Sequence, residues 1–316
     1  MKKLSALFIA VFILFSFCSC GSYKTTALVI SGTEIDSEIF TYYLDRVIQR
    51  PADYGLPENP QKKELKESAI NECKNYLAAN TKFRDMGLTL SASEKVEISE
   101  NVNNFWMRFE NHYKNIGVSK QTLTKIMTAQ AYTEAIFNAT YDKGTGDAAE
   151  EQILQDYFYG NYISFRNVCA YFTSADDKTP MSQADKNRLI AAFEALSKES
   201  FASADDFSAA VQNAGYSLSD SVLLKKGSEG YPDGFYEKVS NQDDGTVQII
   251  IYDECVFAVW KENLKEKGES VYAGYRSSCI KDLYSGQSEE ENEEYIQSLT
   301  VEEKSGTINR IIKKLS

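Results

Sequence analysis

The side chains best suited to nucleophilic, redox or metal chemistry are sparse: one histidine and six cysteines in 316 residues. His112 stands in "FENHYKN" with neither a serine–acid set nor a metal-ligand spacing around it, so it reads as a surface or boundary residue. Cys73, Cys169, Cys255 and Cys279 are far apart and form no Cys-x-x-Cys pair, in a chain too long to need disulfides as its core. They read as small buried hydrophobes. No catalytic residue, no metal and no cofactor follows from these positions.

The remaining two cysteines close an apolar leader. Met1-Lys2-Lys3 is followed by an uncharged run from Leu4 to Phe17, the pattern of an export signal too short for a comfortable membrane span. Ser19-Cys20-Gly21-Ser22 resembles a bacterial lipoprotein cleavage site, whereas Cys18 has bulky Phe17 in front of it. The expectation is a signal peptide over residues 1–19 and lipidation at Cys20, with ordinary cleaved secretion or a retained anchor as alternatives. Each buried acyl CH₂ contributes roughly 0.8 kcal/mol, so two or more chains hold a protein stably at a membrane. Losing Lys2 and Lys3 moves the net charge from −12 to −14. That balance argues against nucleic acid as a partner, because phosphate binding needs clustered Lys and Arg.

Positioning elements follow from periodicity. "TALVISGTEI" reads as a short strand and turn, after which Asp36 caps a helix carrying Ile39, Phe40, Tyr43, Leu44, Val47 and Ile48. Pro51, Pro57 and Pro60 make a loop, and a helix from about Lys62 stops at Gly87. Ser91 or Ser93 caps the next helix, which ends at Gly117, and Ser119 caps another. Val102, Phe105, Trp106, Phe109 and Tyr113 form a stripe on the first of these; Ile136, Phe137 and Tyr141 lie on the second. A further helix spans about 147–159. After Gly160 the texture changes. "YISFRNVCAYF" reads as a strand, 183–199 and 204–214 as helices, and "SVLLKK" as a strand. "GTVQIIIYDECVFAVWKEN" reads as a hairpin turning at Asp253-Glu254, and the tail returns to helix. The length beyond the leader exceeds the usual single-domain range, so two domains are expected.

Helices, one α+β insert, then helices again resembles the SurA/PrsA-type extracytoplasmic foldases. "LVISGTEIDSEIFTYYL" is similar to that family's opening strand and amphipathic helix. "KFRDMGLTLSASEKVEISENV" and "YKNIGVSKQTLTKIMTAQAYTEAIF" resemble two of its helix breaks, and "DAAEEQILQDYFYGN" the helix leading into its parvulin-type domain. The resemblance implies an α+β fold. A mainly helical SurA-like chaperone domain would be built from residues 20–160 and the C-terminal helices 265–316, with a parvulin-like (FKBP-like) domain inserted at 161–264.

In that family the insert is a peptidyl-prolyl cis-trans isomerase, acting on a bond whose rotation faces a barrier of roughly 18–20 kcal/mol. The resemblance implies one catalytic histidine on the first strand and another on the last, a Gly-Gly-x-Leu-Gly turn, and an aromatic in the prolyl slot. Here Cys169 stands at the first position, Phe257 or Ala258 at the second, and Phe235 at the aromatic; the glycine turn is absent. The implied first and last strands are neighbours, so Cys169 and Cys255 are expected close together, either as packed thiols or as a disulfide.

What the resemblance implies for function is a lipid-anchored, extracytoplasmic chaperone that binds unfolded or exported polypeptide segments, without efficient isomerase catalysis. An active isomerase and a solute-binding lipoprotein of a transporter are the alternatives. Phe105, Trp106, Phe109, Tyr113 and Phe137 are the candidate client-binding residues, since aromatics offer large contact area at low entropic cost. The same stripes fit a domain core equally well, and a helical period cannot say which face meets what.

Overall fold

A computed structural model describes residues 25–142, 144, 148–173, 179–198 and 200–315. The leader and Cys20 lie outside the described residues. The fold is mainly helical α+β, with two antiparallel sheets. The chain divides into two compact units. One holds the described residues up to Thr140 together with those from Gly286 onward; the other is Tyr141–Ser285.

The first unit opens with β1 (Thr26–Ile30) and β2 (Thr33–Asp36), a tight hairpin turning at Ser31-Gly32, where both residues have positive φ. Asp36 then caps α1 (Ser37–Gln49), accepting from the Ile39 backbone N–H at 3.0 Å. After a 3₁₀ turn at Pro51–Tyr54 come α2 (Lys62–Asp85), α3 (Ala92–Ile116) and α4 (Lys120–Tyr141). Ser91, rather than Ser93, caps α3, and Glu94 returns a bond to the Ser91 backbone. Gly117 ends α3 at φ +83°, a left-handed conformation that suits glycine, and an added Cβ there would sit 3.2 Å from Lys314 Nζ.

The C-terminal segment completes this unit. β7 (Val301–Glu303) pairs antiparallel with β1, giving the order β2-β1-β7, and α10 (Ser305–Leu315) buries Ile308 and Ile311 in the same core as Phe40, Leu44 and Ile126. The tail was expected to be helical throughout. Residues 301–303 instead form a strand because β1 leaves an edge whose backbone groups require partners.

In the second unit α5 (Ala148–Asn161) leads into β3 (Tyr162–Tyr171). Then follow α6 (Gln183–Ser197), α7 (Ala204–Asn213), β4 (Val222–Lys225), α8 (Phe235–Ser240), β5 (Val247–Ile251) and β6 (Cys255–Glu262). The strands are ordered β4-β3-β6-β5, so the first and last lie side by side at the centre. Period-two alternation gives the sheet two buried faces. Phe165, Cys255, Phe257 and Val259 meet Phe235 and Val239 of α8 on one; Val168, Val256, Ala258 and Trp260 meet Phe193, Phe207 and Val211 of α6 and α7 on the other. α8 is absent from the sequence reading, because six residues carry too few turns for a periodic signal.

α9 (Glu269–Ser298) begins in the second unit and ends in the first, the division falling at Gly286. The units therefore do not change at 160 and 264: α5 and the opening of α9 belong with the sheet that they were expected to flank. Phe158 of α5 explains why, being fully buried against Tyr162 and Tyr272 at ring separations of 4.9 and 5.6 Å.

Candidate functional site

Two concave regions, one in each unit, are lined in part by candidate residues. In the first unit α3 and α4 flank a groove of about 730 Å³. Ile98, Phe105, Met127 and Ala131 supply its apolar lining, Asn101, Asn104, Gln130 and Asn138 line it with amides, and Glu94, Glu97, Glu134 and Arg108 add charge. An amide offers both donor and acceptor, which suits an extended backbone of any sequence.

The aromatic stripe of α3 is graded from core to surface. Tyr113 is only 3% exposed, stacked 5.9 Å from Tyr42 of α1; Phe105 is half-buried 5.8 Å from Tyr113; Phe109, 4.8 Å beyond Phe105, is 38% exposed. Tyr113 is therefore a core residue, covered rather than open to a client. Burial also raises its phenol pKa. Trp106 is half-buried against the core and Phe137 is likewise partly buried; neither lines the groove. Phe105 is the residue of the expected set that does. Met107, next to the stripe, is 73% exposed and was not anticipated, because it falls off the apolar period.

In the second unit the expected trio comes together. Cys169 on β3 is directly opposite Phe257 on β6, whereas Ala258 faces the other side of the sheet. Phe235 packs behind, with its ring 5.0 Å from Phe257. Cys255 lies two residues before Phe257 on the same face, a diagonal neighbour of Cys169. All four described cysteines are free thiols. Burial first, and then the Cys255 neighbour, pushes the Cys169 thiol up to about 12; burial likewise raises Cys255. Both stay protonated at neutral pH, which makes them poor nucleophiles.

Cys169, Cys255 and Phe257 line a cavity of about 620 Å³ with Tyr171, Tyr231 and Tyr252. Asn167, on the same strand face, donates to Tyr231 Oη at 3.2 Å and holds that ring in place. Tyr171 was legible in principle, since it follows Cys169 by two residues and so shares its face. Tyr231 and Tyr252 come from loops, where no period announces them. Histidine is missing from this cavity, and the chain's one histidine, His112, belongs to the first unit. Among the described residues no group of three or more His, Cys, Asp or Glu could hold a metal ion.

A buried polar cluster joins the other end of this sheet. Glu262, 9% exposed, accepts from Ser164 Oγ at 2.7 Å, Ser221 Oγ at 2.6 Å and Arg166 Nε at 3.1 Å, and pairs with Lys267. Burial works against its charge, but the bonds from Lys267, Ser221 and Ser164 more than offset this and its pKa is lowered. Lys267 also donates to Ser221, so the cluster clasps β3, β6 and the segments around Ser221 and Lys267 together.

No family model and no curated protein matches this sequence. Solved structures similar to it include those of the foldase protein PrsA from three organisms. That from Streptococcus pneumoniae has 13% identity and a TM-score of 0.34, over 87% of each chain. That from Lactococcus lactis has 12% identity and a TM-score of 0.37, over 92% of this chain and 93% of that one. That from Bacillus subtilis has 12% identity and a TM-score of 0.24, over 80% and 84%.

Proposed function

We propose that this chain is an extracytoplasmic chaperone of the foldase type, held at the bacterial membrane by a lipid on Cys20, which binds unfolded or exported polypeptides without efficiently isomerising their prolyl bonds. The observation that carries the reading is the groove between α3 and α4, with Phe105, Ile98 and Met127 as an apolar lining and exposed amides along it. It offers what a sequence-tolerant hold on an extended segment requires: apolar contact for side chains and paired donors and acceptors for backbone.

The loss of catalysis is supported by the sheet of the second unit. The resemblance implies histidines at Cys169 and at Phe257 or Ala258, and Cys169 faces Phe257 across the sheet. A protonated thiol and a phenyl ring cannot supply the polar support that a twisted amide needs. The solute-binding alternative is disfavoured by topology, since that class is built on parallel sheets and both sheets here are antiparallel.

The test is aggregation of an unfolded client with and without the processed chain, residues 20–316, beside a protease-coupled proline-peptide assay. Suppressed aggregation, weakened by Phe105→Ala in a folded variant, with a proline rate at background, is the expected result. A proline rate well above background restores the isomerase alternative. Absence of suppression removes the chaperone reading.

A further inference from the structure

The cavity of the second unit has a chemistry that apolar side-chain binding does not use. Its walls present aromatic faces, with Tyr171 63% exposed and Tyr231, Tyr252 and Phe257 around it. Its rim carries two carboxylates, Asp253 and Glu254, both exposed at the β5–β6 turn. Among the described residues no lysine, arginine or histidine lines it. The Tyr252 ring already attracts a cation of the chain itself, with Lys238 Nζ 4.3 Å from its centroid.

Aromatic rings attract cations through their negative faces, and the attraction grows as the cation is desolvated. Carboxylates at the rim add a longer-range pull of the same sign. An anion would meet two carboxylates at the rim, and a neutral apolar group would leave them unused.

We infer that this cavity takes a positively charged side chain, arginine or lysine, from a polypeptide segment held by the second unit. The inference rests on the polypeptide-binding reading and adds to it a preference for basic segments. It fits the charge of the chain, which is acidic overall at −12.

The experiment compares three labelled pentapeptides, alanine-flanked, with arginine, its neutral isostere citrulline, or glutamate at the centre, and also N-acetyl-arginine amide. Binding to the processed chain is measured at low and high salt, and again for the double variant Asp253→Asn with Glu254→Gln, which alters exposed turn residues and leaves the sheet intact. The arginine peptide is expected to bind about tenfold tighter than the citrulline peptide. The difference should shrink in high salt and in the double variant, with the glutamate peptide weakest. Equal affinity for arginine and citrulline, or selectivity unchanged in the double variant, overturns the inference. So does N-acetyl-arginine amide binding as tightly as the arginine peptide, since a free cation is then the ligand. Client aggregation assayed in parallel separates the two claims. Suppression without arginine selectivity defeats the cation site alone, and arginine selectivity without suppression defeats the chaperone reading alone.

Discussion

His112 Nε2 lies 2.9 Å from Asp45 Oδ2, joining α3 to α1 inside the first unit. Asp45 is 4% exposed, so the histidine supplies the donor that a buried carboxylate needs. The two are 67 residues apart, and the sequence around His112 holds no sign of the partner.

His112→Ala should lower the stability of the first unit by about 1–3 kcal/mol, because it strands a buried acceptor. Urea denaturation followed by circular dichroism measures this. The double variant His112→Ala with Asp45→Asn should recover part of the loss, and a loss unchanged by the second substitution would show that the pair is not the cause.

The Glu262 clasp makes a pH prediction. The folded pKa of Glu262 is below the ordinary value of 4.5, so its contribution is fully present above 4.5. It fades as pH falls through that value toward the lowered one. Glu262→Gln should therefore cost stability at pH 7, and the gap to the parent protein should narrow below pH 4.5. Melting curves from pH 7 to pH 3 decide it; a gap that widens on acidification would refute the assignment.

Thiol labelling tests the electrostatics of the second cavity. With the Cys169 thiol pushed up to about 12 by burial and by Cys255, alkylation at pH 8 should be far slower than for free cysteine. Cys73 and Cys279, both 0% exposed, should label only after unfolding. Rapid labelling of Cys169 in the folded chain at neutral pH would show a thiolate and reopen a nucleophilic role.

The C-terminal closure of the first unit is testable by a single core truncation. Ile308 is 1% exposed within the cluster that α1 organises, so Ile308→Ala should cost about 2–5 kcal/mol. Hydrogen exchange should report faster opening of β1 and α1 while β3 and β6 keep their protection. Equal loosening of both sheets would show that the two units do not unfold separately.

Local chemistry was legible. Asp36, Ser91 and Ser119 act as caps within three residues of their own position, and the period of α1 marks the face that it buries. The alternation along β3 and β6 likewise follows from pleat geometry alone. Cys169 lines the second cavity, while Phe235 packs behind it against Phe257.

Tertiary structure decided everything that depends on which segment meets which. β7 is a strand only because β1 offers it an edge, and Tyr113 is core only because Tyr42 covers it. Tyr231 and Tyr252 reach the cavity from loops, where neither cap nor period constrains the chain. A sequence by itself determines propensities and faces through interactions a few residues long. Partners hundreds of residues apart, such as Val29 and Glu302, are chosen by the burial and backbone pairing of the whole unit.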